Sequence, residues 1–471
     1  MSGAFNYLTV NLPSTPHLVP YYAVDSLLQP LKHFGVNLGL NRIVKLLETL
    51  NNPHRQVPII HVAGTNGKGS VCAYLSSILT ESGYKTGRYT SPHLIDWNER
   101  ICINEKPIAS EELTRLIEIV KGVINSNEDQ PTQFEIITAA SWLYFAQEKV
   151  DIAVVEVGLG GRLDATNVCD HPLVTVITSI GRDHWQQLGS SISDIAREKA
   201  GIIKAGCPVV MGKLPEDAKR AVICRSIELE SPIFVVSPAR EISPGWAEYQ
   251  TVGPGGRIKA IKYPLPLKGQ IQLTNSALAL ASLGMLQRQG WEISGQAIIR
   301  GMEKTKWPGR MQWFNWKKDN SDCQLLIDGA HNPESAQVLR NYVDSIGDRN
   351  KNITWVMGML TTKDHKDIFR ELLKTKDRLY LVPVPGSDYA NLDYLKTLAL
   401  ETCPDLDFCA IYEDIFLALN AAFNNFNNTN NNTNNNTNNN TNNNTNINGP
   451  VILCGSLYLI GHFFSQVNLV K

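Results

Sequence analysis

A chain of 471 residues exceeds what one ordinary core holds, so two or more domains are expected. Apolar residues make up 43% of it, enough for globular packing, and a net charge of −1 gives no electrostatic pull toward nucleic acid or an anionic membrane. No apolar stretch is long enough to cross a bilayer, the opening MSGAFNYLTVNLPSTP lacks a secretory signal's basic start and apolar core, and nine cysteines without a CxxC pair read as free thiols; a cytoplasmic protein is expected.

The first clear strand is IIHVA (59–63), and a helix follows in which Val71, Leu75, Ile78 and Leu79 share one face. Between them lies GTNGKGS. A strand that ends in glycines and opens a helix presents several backbone N–H groups, and the helix terminus adds partial positive charge. Lys68 supplies a full charge and Ser70 a hydroxyl suited to Mg²⁺. The pattern describes a phosphate cradle, set against the plainer reading of a Gly-rich turn. It departs from GxxxxGK[ST]: Val62 holds the upstream Gly position, and Gly69 separates Lys68 from Ser70.

DIAVVEV (151–157) and LVTVITSI (173–180) read as buried strands. Glu156 closes the first of them, at the edge where ligands of open α/β sheets gather, and suits Mg²⁺ better than a solvated strand end once the loop is present. The adjoining GLGGR fails as a dinucleotide fingerprint and reads as a turn lining a site. GRDHW places Asp183 and His184 beyond the second strand, as ligands or as structural residues. Lys199 falls on a helix in EKAGIIK, where spacing gives it no reason. PVVMG (208–212) and IFVVS (233–237) continue the sheet.

At TKWPGRMQ (305–312) the periodicity breaks, and Arg310 is positioned to swing onto a phosphate. LLIDGA (325–330), ITWVMGML (353–360), RLYLVPV (378–384) and VILCGS (451–456) then form a second strand series. Asp328 sits at its ligand edge with His331 close behind, while Asn332–Pro333 reads as a structural helix start. The expected fold is therefore α/β in two domains. Residues 1–305 form a P-loop-type, mostly parallel sheet domain, and 306–471 a smaller Rossmann-like α/β domain. Residues 424–448, a near-perfect TNNN repeat, have no apolar face and are expected to be a disordered loop.

Taken together, GTNGKGS (64–70), YTSPHL (89–94), NERI (98–101), TQFE (132–135), VVEVGLGGRLDATN (154–167), IGRDHWQQLG (180–189), EKAGIIK (198–204), WPGR (307–310), DGAHNP (328–333) and GSLYL (455–459) resemble folylpolyglutamate synthase and dihydrofolate synthase, of the Mur ligase superfamily. The resemblance spans nearly the whole chain outside the Asn tract. It implies ATP contacts at Gly64, Thr65, Asn66, Gly67, Lys68, Gly69, Ser70, Asn275, Arg310, Asp328 and His331. Two Mg²⁺ ions are implied at Ser91, Glu156 and His184, and a carbamylated Lys199. A pterin pocket follows at Thr132, Gln133, Phe134, Glu135, Leu163, Asp164 and Ala165. Lys68, Lys199, His184 and Arg310 are the candidate catalytic residues. The implied reaction adds L-glutamate to dihydropteroate or tetrahydrofolate through an acyl phosphate, in a monomer. Two departures stand out: Ile271–Gln272 where the family often has His–Gln, and Trp97 for the usual Phe. Another Mur-type amino-acid ligase, or an ATPase without ligation, are the rival readings.

Overall fold

The computed structural model describes residues 19–35, 37–125, 129–252, 258–318, 321–346, 352–432 and 448–469. The first sheet contains β1 (Ile59–Ala63), β2 (Thr86–Tyr89), β3 (Ile101–Ile103), β4 (Lys106–Pro107), β5 (Ile152–Glu156), β6 (Val174–Ile177), β7 (Val209–Met211) and β8 (Ile233–Val235). Its order is β4-β3-β2-β5-β1-β6-β7-β8. From β2 to β8 every pairing is parallel; β3 and β4 join antiparallel at one edge.

Both faces are apolar, so both must be covered. Ile60, Val62, Val154, Val176 and Val210 pack beneath helices Lys68–Glu81, Ile271–Arg288 and Gly295–Lys304. On the other face Ile59, Ala153 and Val155 meet helices Ser110–Gly122 and Gln133–Gln147, while Ile177, Val209 and Met211 meet Ile192–Ala200 and Glu216–Glu228. A small antiparallel sheet, β9 (Arg240–Ser243), β10 (Trp246–Val252) and β11 (Ile258–Pro264), follows.

The second large sheet holds β12 (Gln312–Lys318), β13 (Ser321–Ile327), β14 (Asn352–Met357), β15 (Arg378–Leu381), β16 (Phe408–Ile411) and β17 (Asn448–Cys454), in the order β12-β13-β17-β14-β15-β16. Only β12–β13 is antiparallel. Helices Pro333–Ile346, His365–Leu372 and Leu392–Thr402 cover one face, and Ile415–Asn432 with Leu457–Leu469 the other.

The strands expected at 173–180 and 353–360 are shorter than the apolar runs. β6 stops at Ile177 because the chain then turns to bond the Gly-rich loop: Thr178 N–H donates to Ala63 O (2.9 Å) and Thr65 N–H to Ser179 O (2.7 Å). Of the expected 424–448 loop, residues 433–447 lie outside the described residues; at its two ends a helix runs through Asn432 and β17 begins at Asn448.

Candidate functional site

Register places the site. Tyr89 of β2 pairs with Val155 of β5, Glu156 with Val62 of β1, and Ala63 with Ile177 of β6. Four parallel strands therefore end at one edge. From that edge come Ser91, Glu156, the loop Gly64–Ser70, and the segment carrying Asp183 and His184.

The loop leads straight into helix Lys68–Glu81, with Gly67 at φ +88° as its N-cap. A side chain at Gly67 would strike the Asn275 carboxamide, and one at Gly69 the Trp307 ring. Backbone approach this close explains the glycines. Lys68 folds over the loop, donating to Gly64 O (3.1 Å) and Thr65 O (3.2 Å), with Glu156 4.0 Å away. Glu156 is only 4% exposed. Burial pushes its pKa up to about 7, against the pull of Lys68 and the Ser91 N–H. Lys199, 5% exposed, donates to Gly64 O at 2.9 Å. Desolvation, reinforced by Lys68, brings its pKa down to about 7.

The second domain closes the cavity. Asp328 accepts the N–H groups of Met311 (2.9 Å) and Ala330 (2.8 Å), which fixes the turn beside Arg310. A side chain at Gly329 would collide with the Arg310 guanidinium. His331 is held by Gly329 O, 2.7 Å from Nδ1. Every residue expected to touch nucleotide or metal lines one cavity of about 240 Å³: Gly64 through Ser70, Ser91, Glu156, His184, Lys199, Asn275, Arg310, Asp328 and His331.

A second cavity, about 440 Å³, is lined by Thr132, Gln133, Phe134, Glu135, Leu163, Asp164 and Ala165. Several of these residues shape it through their own bonds. Thr132 and Glu135 form a capping box on helix Gln133–Gln147, and Arg42 Nε also donates to Glu135 (3.1 Å). Asp164 is spent on Leu159 N–H and on the Thr166 N–H and hydroxyl. Trp97 lines the same space, with the Arg100 guanidinium 4.4 Å over its ring. The two cavities share a wall that includes Ser91, His184 and His331.

Lys363, Trp185 and Asp364 carried no sequence signal, and Asp183, marked beyond its strand, and Asn332, read as a helix start, take on contacts the sequence did not show. Asp183 receives Lys363 Nζ (2.8 Å) and Asn332 Nδ2 (3.2 Å) from the second domain. Burial opposes its ionisation, but His331, Lys363 and His184 together hold its carboxyl well below the usual carboxylate range. Trp185 Nε1 donates to Asp364 (3.1 Å). Asn332 does cap its helix, accepting Ser335 N–H at 2.9 Å, and it also bridges to the first domain. Gln272, beside the Ile271 departure, bonds both Asn275 (3.1 Å) and Ser70 (3.5 Å).

The donor set suits Mg²⁺. Among the described residues no three His, Cys, Asp or Glu side chains gather as a metal cage. Mg²⁺ needs none, since it keeps waters and takes phosphate oxygens beside one or two carboxylates. Glu156 and the Ser91 hydroxyl offer hard oxygen ligands on the first cavity, and His184 adds a nitrogen.

Comparison with known proteins identifies the family. Residues 62–283 match the Mur ligase middle domain, and residues 312–466 the dihydrofolate synthetase C-terminal domain. The folylpolyglutamate synthase of Lacticaseibacillus casei is 37% identical over 362 residues, covering 74% of this chain and 82% of that protein. A probable dihydrofolate synthetase of Schizosaccharomyces pombe is 31% identical over 441 residues, covering 92% and 99%. The solved structure of E. coli FolC in complex with DHPP and ADP superposes with a TM-score of 0.75 at 27% identity, covering 95% of this chain and 98% of that one. This chain belongs to the family of folylpolyglutamate and dihydrofolate synthases within the Mur ligases.

Proposed function

We propose that this ATP-dependent ligase adds L-glutamate to dihydropteroate and to tetrahydrofolate glutamates, acting as a monomer in the cytoplasm. The shared wall of the two cavities carries the reading, because it lets a carboxylate in one space meet the terminal phosphate in the other. DHPP and ADP together in the FolC structure support the same pairing of ligands.

A carboxylate is a poor electrophile until it gains a leaving group. The pterin-bearing acid attacks the γ-phosphorus of ATP, releasing ADP and leaving an acyl phosphate. The amine of L-glutamate, having lost its proton, then attacks the acyl carbon, and phosphate departs. Such transfers depend on positioning and charge neutralisation. Lys68 and Arg310 supply cations from opposite domains, and the loop N–H groups cradle the phosphates. Glu156, Ser91 and His184 would hold Mg²⁺, which when bound neutralises phosphate charge. Lys199 has a carbamate-forming role in this reading: its neutral amine adds CO₂ and loses a proton, turning a cation into an anion beside the metal ligands.

The test is product analysis by mass spectrometry, offering dihydropteroate and tetrahydrofolate in turn with ATP and L-glutamate. A mass gain of one glutamyl unit with ADP release is expected from each. Lys68→Ala should lower turnover about a hundred- to a thousandfold, as removal of one phosphate-facing charge does. ADP release independent of glutamate, or an unaffected Lys68→Ala enzyme, would overturn the assignment.

A further inference from the structure

Asn66 is held from two sides. Its backbone is pinned by its own domain: the N–H donates to Ser179 Oγ (3.0 Å), and the carbonyl accepts from Thr178 Oγ1 (2.7 Å) and Ser179 Oγ (3.2 Å). Its side chain is held by the other domain. Asn332 Nδ2 donates to Asn66 Oδ1 at 3.0 Å, and Asn66 Nδ2 donates to Glu334 Oε2 at 2.7 Å and to Asn332 Oδ1 at 3.3 Å. Both partners sit at the first turn of helix Pro333–Ile346, whose start Asn332 caps. The Glu334 carboxylate also packs on Gly181, where an added Cβ would lie 2.6 Å from Oε2. It lines the nucleotide cavity as well.

We propose that Glu334 is a positioning residue. From the second domain it orients the Asn66 carboxamide of the phosphate loop, so the loop is set for phosphoryl transfer only when the domains are docked. The inference rests on the reading of residues 64–70 as the phosphate cradle. With the Asn66 backbone pinned, the freedom left to its carboxamide is rotation about the side-chain torsions. Its carboxamide therefore depends on outside partners for a fixed direction. A carboxylate is the stronger of the two acceptors it has. The short contact is made to an amide, so it supplies direction rather than charge pairing.

The experiment uses the full chain with ATP, L-glutamate and a pterin acceptor. Glu334→Ala deletes the acceptor, and Glu334→Gln keeps an Oε in reach. Loss of a hydrogen bond to a charged group predicts a kcat/KM for ATP about tenfold lower in the Ala variant, with KM for the pterin acid unchanged. The Gln variant should recover most of that loss. In an Asn66→Ala background, Glu334→Ala should cost almost nothing further. Should Glu334→Ala fail to accumulate as folded protein, Gly181→Ala displaces the same carboxylate and should give the same kinetic signature. An unaffected Glu334→Ala enzyme, equal losses in Ala and Gln, or a full second loss on top of Asn66→Ala would each overturn the proposal. A wild-type enzyme without ATP turnover would instead overturn the phosphate-cradle reading itself.

Discussion

Lys199 is the residue whose environment makes the sharpest chemical demand. Its ordinary pKa is 10.5, and burial next to Lys68 brings it to about 7. The neutral amine that the proposed CO₂ addition requires is thus substantial at neutral pH and falls about tenfold per unit below it. Activation by bicarbonate should therefore be about tenfold slower at pH 6 than at pH 8, measured as turnover after timed preincubation. A flat profile would remove the carbamate role. The same shift has a sign for stability. Between about 7 and 10.5 the unfolded chain binds the proton that the folded lysine has released, so folding stability gains with rising pH across that window. Below it the full cost of burying the cation is present, and Lys199→Met should erase that dependence in urea melts. Lys68, Glu156 and His184 could be marked in the sequence because each lies at the end of an apolar run or a few residues beyond it. Glu334 and Lys363 were not. Their partners, Asn66 and Asp183, are distant in sequence, and no local pattern records a contact across domains.

At the level of elements, the Gly-rich loop 64–70 depends on how closely its helix packs. Helix Lys68–Glu81 and helix Gly295–Lys304 meet at Gly301, where an added Cβ would collide with the Ile78 backbone. Ser77 Oγ donates to Gly301 O at 2.7 Å, which holds the crossing. Gly301→Ala should force the helices apart and destabilise the protein by about 1–3 kcal/mol, the usual range for an overpacked core site. Equilibrium unfolding in urea measures this, and a variant as stable as wild type would show the crossing to be elastic. Buried strands such as β1 and β5 were easy to read because all five residues of each are buried and, apart from His61 and the site-end Glu156, apolar. β9 to β11 were not foreseen. Their exposed, polar-alternating residues, as in Arg240–Ser243, carry no continuous apolar run. Asn332 was read as a helix cap and is one; its second function as a bridge needed the other domain in place.

On the scale of the whole molecule, two clasps hold the domains over the shared wall. One joins Asn66 to Asn332 and Glu334; the other joins Asp183 to Lys363 and Trp185 to Asp364. An acyl phosphate hydrolyses when water reaches it, so domains held shut by these clasps would protect the yield as well as the rate. Lys363→Met keeps the aliphatic stem but removes the ion pair. It should raise the ADP released per amide formed above one, measured by parallel nucleotide and product assays, and enlarge the radius of gyration of the ligand-free protein in X-ray scattering. Tight one-to-one coupling in that variant would place closure elsewhere. The sheet orders carry a consequence for synthesis. β17 comes after β12 to β16 in the chain, yet it lies between β13 and β14 in the sheet. As the ribosome delivers the chain, the first sheet can assemble early. The second remains split into two unjoined halves until the segment beyond the asparagine codons emerges, so a premature stop within those codons would yield a folded nucleotide-binding half tethered to a partner that cannot zip shut.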